Sequence, residues 1–142
     1  MKYSDVDVIN IKSSIEKLDN ELLSSISNCE KLVNSFNDVY WKATSRNVLE
    51  RKIRELLVKL GVSRDQLSKT MTALDLIKDY QAVYNERQRC QNEKNQLLNE
   101  KNKTGVIGDI QIDYRINQLN IKLSECEKRI NELDIQIDYI QL

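Results

Sequence analysis

Apolar residues recur along this chain at steps of three and four. Val8, Ile11, Ile15, Leu18, Leu22, Cys29, Leu32, Phe36 and Val39 form a first series. That spacing keeps one stripe on one side of an α-helix, so it predicts an amphipathic helix with a coiled-coil-like seam. Leu23, Ile26 and Val33 widen the stripe beyond a strict seam, which suits contact with more than one neighbouring helix. The helix is expected to start near Ser4 or Asp5, since Asp5 and Asp7 suit the positive end of a helix dipole. A second series, Leu49, Ile53, Leu56, Leu60, Leu67, Leu74 and Ile77, predicts a second helix from about Ser45. Gly61, followed by Ser63 and Gln66, offers a place to close one helix and cap another. The register stays in phase across Gly61, which favours a continuous helix, bent there if anywhere.

From Asn85 to Lys103 the apolar signal fades, with Leu97 and Leu98 as the main exceptions. Glu, Arg, Lys and Gln still propagate helices well, so this stretch reads as a solvated helix extension or a frayed connector. Asn102 to Asp109 contains two glycines and predicts a turn. The cleanest heptad follows: Ile112, Ile116, Leu119, Leu123, Cys126, Ile130, Leu133, Ile137 and Ile140, with Ile121 and Ile135 off the seam. A helix of about thirty residues, roughly 45 Å long, cannot cover its own seam and must fold back on the second helix or pair with another chain. The pattern therefore predicts an all-α chain. Residues 1–84 form an elongated antiparallel helical hairpin turning near 40–46. Residues 85–142 form a polar helix extension, a turn near 102–109 and a third long C-terminal helix with coiled-coil-like packing.

Composition sharpens this. Proline is absent and glycine occurs three times in 142 residues, as expected of long helices. Twenty-two basic and 22 acidic residues balance. A nucleic-acid protein needs a basic surplus to displace counterions, so that class is disfavoured. No stretch approaches ~18 consecutive apolar residues, and stable membrane insertion is not expected. The first residues carry no basic segment followed by an apolar one, so no conventional secretory signal is expected. That leaves a cytoplasmic protein or one exported by a leaderless route.

Chemistry is nearly absent. There is no histidine, no glycine-rich phosphate loop and no nucleophile beside a base, so no catalytic residue and no cofactor site is expected. An enzyme would have to rest on a carboxylate metal site, and Asp109 with Asp113, one turn apart, is a weak ligand set. The three cysteines are scattered, a poor disulfide or zinc framework. Cys29 and Cys126 fall on seams as small core residues, whereas the polar setting of Cys90 predicts an exposed thiol. Tyr80 and Tyr84 read as a packed aromatic pair or, alternatively, as part of a recognition tag.

Between the first two series lies Val39-Tyr40-Trp41-Lys42-Ala43-Thr44-Ser45, with the single tryptophan. Thr44, Ser45 and Asn47 can accept the free N–H groups that open a helix. This order of parts resembles the WXG family, small helical hairpins exported by type VII secretion systems of Gram-positive bacteria. In that family a Trp-x-Gly turn joins two antiparallel helices. Trp41, Lys42 and Ala43 stand at the motif, with Ala43 where glycine is usual and Ser45 in place of a small residue that commonly follows. The resemblance covers about residues 4–84. Ala43 departs from it, because a turn there cannot depend on a positive φ without strain. The family's export tag, Tyr-x-x-x-Asp/Glu after helix two, is not matched there either, since Tyr80 leads to Tyr84 and Tyr84 to Gln88. The third helix is more like the helical companions of LXG-type toxins.

The resemblance implies a non-enzymatic export companion or chaperone that binds a helical partner, an LXG-type effector or a second copy of itself. The residues expected to carry that contact are Ile15, Leu18, Leu22, Leu32 and Phe36, with Leu56, Leu60 and Leu67 opposite. Trp41 would lock the hairpin or act as a knob at its tip. The alternative is a structural coiled-coil or scaffold protein with no export role, which explains the heptads equally well.

Overall fold

Asp7 opens the first helix. Its Oδ1 accepts the backbone N–H of Asn10 at 3.1 Å and its Oδ2 accepts the Asn10 side-chain amide at 2.6 Å, which satisfies a donor otherwise left free in the first turn. Helix α1 then runs Val8–Ser35. The expected start near Ser4 or Asp5 is too early. Residues 2–5 form a turn instead, closed by the Val6 N–H on the Tyr3 carbonyl at 3.3 Å. The computed structural model describes residues 2–35 and 43–140, the side chains of 43–45 excepted. Two further helices follow, α2 (Ala43–Glu100) and α3 (Gly105–Tyr139), and the described residues contain no strand. The chain is all-α.

α2 passes through Gly61 without a break. Hydroxyls along α2 bond back onto their own helix, Ser63 to the Lys59 carbonyl and Thr70 to that of Gln66, so they need no partner from elsewhere.

Contacts divide the chain into two compact units, Asp7–Leu74 and Met1–Val6 with Asp75–Gln141. The division expected at residue 84 was one of apolar patterning, whereas this one follows packing. In the Asp7–Leu74 unit, α1 lies antiparallel to the first part of α2. Val33 and Ile53 are buried together, with Cys29 and Leu49 packed against them.

In the other unit, α3 runs antiparallel to the second part of α2. Ile112, Ile116, Leu119, Leu123, Cys126 and Leu133 of the heptad seam are buried. Ion pairs fix the register: Lys101 with Asp113, Glu93 with Arg115, and Arg87 with Glu127, partners rising along α3 as they fall along α2. The polar stretch after Asn85 is helix to Glu100, and its Glu86, Arg87 and Glu93 pair with α3. The exposed thiol expected at Cys90 is not found. Cys90 is 4% exposed because Leu119 and Leu123 close over it, with Leu97 alongside. Burial, with the nearby Glu86 carboxylate, pushes its thiol pKa up.

The N-terminal turn belongs to this unit. The Tyr3 ring meets that of Tyr80 edge-on, centroids 5.0 Å apart, and the Gln81 amide donates to the Tyr3 and Val6 carbonyls at 2.8 and 3.1 Å. Lys2 reaches Asp134 of α3 at 2.6 Å. The turn between α2 and α3 is shorter than residues 102–109. Asn102 and Gly105 take positive φ, 72° and 82°, and Asp109 reaches back from inside α3 to accept the Asn102 N–H at 2.8 Å. That bond lets the helix begin at Gly105, so Gly108 and Asp109 are already helical.

Two stability outcomes are expected. Leu119→Ala and Leu133→Ala, at positions with no exposed surface, lose about 2–5 kcal/mol in chemical denaturation, whereas Ile135→Ala stays within about 0.5 kcal/mol. A Cβ at Gly61 meets nothing within 4 Å, so Gly61→Ala raises stability by about 0.5–1 kcal/mol.

Candidate functional site

The pairing of α1 with α2 leaves a groove on either side of the Asp7–Leu74 unit. Two antiparallel helices touch along one line, and a stripe wider than that line stays partly uncovered. The first groove holds about 530 Å³. Ile15 and Ile26 of α1 and Leu67 and Met71 of α2 make its apolar lining, and Glu16 and Asp65 add carboxylates. The second holds about 480 Å³ between Leu18 and Leu22 of α1 and Ser63, Gln66, Leu67 and Thr70 of α2. Leu67 lines both.

One polar pair spans the two helices here. Arg64 grips Asp19 with two bonds, Nε to Oδ1 at 2.8 Å and Nη2 to Oδ2 at 3.2 Å. The hydrogen bond to Arg64 holds the Asp19 carboxyl below its ordinary pKa, and the same bond raises that of Arg64. The side chains are 35% and 36% exposed, so the pair sets register and orientation more than it adds stability.

The expected contact residues separate into three groups. Ile15 and Leu67 meet in the first groove, and Leu18, Leu22 and Leu67 in the second. Leu32 and Leu56 are exposed and Leu60 half-buried, and none of the three lines either groove. Phe36 and Trp41 lie outside the described residues. Ala43 is the first residue of α2 and Ser45 falls in its first turn. Periodicity missed Met71 and the Asp19–Arg64 pair. The pair becomes legible only once the antiparallel register is known, because only then do two ordinary charges face each other.

The remaining candidates have structural employment. Asp109 caps the turn and Asp113 pairs with Lys101, so the two carboxylates weighed as ligands point to different tasks. Among the described residues no group of three or more His, Cys, Asp or Glu is placed to hold a metal. No described helix is long and apolar enough to cross a membrane. Tyr80 is buried against Tyr3, and Tyr84 is half-buried. What the site offers is apolar lining with polar edges, suited to receiving a side of another helix. Comparison of the chain with family models, curated proteins and solved structures finds no match.

Asp19, Glu93 and Asp134 all have depressed pKa values, caused first by hydrogen bonds from Arg64, Arg115 and Lys2. A carboxyl held low in the folded state contributes stability above its unfolded value, and that contribution is lost as pH falls through the folded value. Denaturation midpoints should therefore be flat near neutrality and fall below about pH 4. Asp19→Asn should show a smaller fall than the parent chain, and an equal fall would remove Asp19 from the account.

Proposed function

We propose that this chain is a non-enzymatic helix-binding protein and that the α1–α2 hairpin is its receiving surface. The observation that carries the reading is the pair of grooves meeting at Leu67, each lined by apolar side chains that the hairpin's own helices leave partly uncovered. A helix laid into such a groove buries i, i+3, i+4 and i+7 side chains and adds a layer to the bundle. Leu18, Leu32 and Leu56 remain about half exposed in the chain alone. Exposed apolar side chains beside the grooves become contact surface when a partner covers them.

The order of helix, Trp41 segment and helix supports placing this activity in a type VII secretion system. There the chain acts as companion or chaperone to the N-terminal helical domain of an LXG-type effector. Its task is to cover the effector's apolar helices before export, which requires shape and burial rather than chemistry. The lack of a Tyr-x-x-x-Asp/Glu pattern at Tyr80 and Tyr84 fits a division of labour in which the effector carries the tag.

The test is co-purification with LXG-type N-terminal helical domains, followed by titration calorimetry. Leu18→Glu with Leu22→Glu places two charges in the second groove and is expected to weaken binding at least tenfold, about 1.4 kcal/mol or more. Tyr139→Glu, on α3, should bind as the parent does. Undiminished binding by the double variant would remove the hairpin as receiving surface. Failure of any such domain to bind would remove the secretion assignment.

A further inference from the structure

A tight turn joins α2 and α3 at one end of their unit, and no chain connection joins them at the other. From the turn onward the two helices are cross-linked by charge. Lys101 pairs with Asp113, Glu93 with Arg115, Glu86 with Lys122 and Arg87 with Glu127. Among the described residues, these direct ion pairs between α3 and α2 stop at Glu127. α3 runs on to Tyr139, about three further turns. Ile130, Leu133 and Ile137 continue its seam there, and Leu133 has no exposed surface.

The polar links of this last stretch go to the N-terminal turn instead. Lys2 lies 2.6 Å from Asp134 and 3.9 Å from Asp138, and the Tyr3 hydroxyl donates to Asp134 at 3.3 Å. The same segment is held to α2 by the Tyr80 ring, edge-on to Tyr3, and by the Gln81 amide on the Tyr3 and Val6 carbonyls. Residues 2–6 therefore bridge α2 and α3 beyond the point where direct ion pairs end. Apart from Tyr80, every side chain in the bridge is half-buried or exposed. Half-exposed ion pairs add little each, and a short segment held by a few such contacts opens at lower free energy than the helices it joins.

We propose that residues 2–6 are a releasable clasp on the unconnected end of the α2–α3 pair. Closed, the clasp holds the last turns of α3 against α2. Open, it lets those turns separate and uncovers the seam of Ile130, Leu133 and Ile137, while the stretch from the turn to Glu127 stays paired. The clasp belongs to this unit alone and does not rest on the helix-binding reading of the α1–α2 hairpin.

Amide hydrogen exchange, read by mass spectrometry on the full chain, tests it. Tyr3→Ala removes both the ring and the hydroxyl. It is expected to speed exchange across residues 130–137 at least about tenfold and to leave residues 112–123 within about twofold of the parent. Lys2→Glu turns an attraction to Asp134 and Asp138 into a repulsion and speeds the same amides roughly three- to tenfold. Adding Asp134→Lys to Lys2→Glu restores them to within about threefold of the parent, since the pair re-forms with signs exchanged while Asp138 stays in place. Helicity by circular dichroism should be kept in all three variants. Parental exchange at 130–137 in Tyr3→Ala overturns the clasp. An equal rise over 112–123 and 130–137 overturns it too, because the contacts then serve the stability of the whole unit. Failure of the exchanged pair to restore protection overturns Lys2 as the fastener.

Discussion

Two helices laid side by side can close only one line of contact on each. Everything distinctive about this chain follows from that limit. Where the apolar stripe is narrow, a single neighbour covers it. The heptad of α3 is narrow, and Ile112, Ile116, Leu119, Leu123, Cys126 and Leu133 are buried against the second part of α2 and its surroundings. Where the stripe is wide, one neighbour is insufficient. α1 carries Leu23, Ile26 and Val33 beside its seam, yet only Val8 and Val33 of its residues are buried. The difference between a covered seam and a pair of open grooves is thus a difference in stripe width, readable as the number of apolar residues per turn.

Charge plays the second part. An antiparallel helix pair held by aliphatic contacts alone tolerates sliding by a turn, because successive heptads look alike. Here each pair carries its own markers. Arg64 holds Asp19 in the hairpin, and Arg115 holds Glu93 with bonds of 2.7 and 3.1 Å between α3 and α2. Such half-exposed pairs contribute little net stability. Their effect is to penalise the wrong register, since a slipped helix strands both charges. The N-terminal turn is marked similarly: the Gln81 amide donates to the Tyr3 carbonyl, which also accepts the Val6 N–H, and to the Val6 carbonyl.

Helix identity, the continuity of α2 through Gly61 and the seam of α3 were legible from spacing alone, because a 3.6-residue period leaves a strong imprint over many turns. Ends were less legible. Asp5 and Asp7 look alike in sequence, and only the turn closed on Tyr3 decides that Asp7 is the cap. Asp109 looked like part of a loop because its role, accepting an N–H seven residues earlier, is non-local. Cys90 looked exposed because its neighbours in sequence are polar, whereas its neighbours in space are Leu119 and Leu123. The groove residues were half legible. Leu18, Leu22 and Leu67 stood out as seam positions, but which seam positions a neighbour would leave uncovered depends on the register of two segments some forty residues apart.

Stability and binding are then linked through the same residues. The Asp7–Leu74 unit buries a small cluster, Val33 and Ile53 with Cys29 and Leu49 at their edge, and leaves the rest of its stripe half open. Units with few buried contacts open locally at low free energy. A partner helix that fills the grooves favours the closed hairpin by an amount set only by its concentration relative to its dissociation constant. Replacing Leu18 or Leu22 by larger apolar residues to strengthen the lone hairpin would fill the space a partner helix needs. The hairpin is therefore expected to open most readily along the part of its stripe that its own helices leave uncovered, and that openness follows from the width of the stripe.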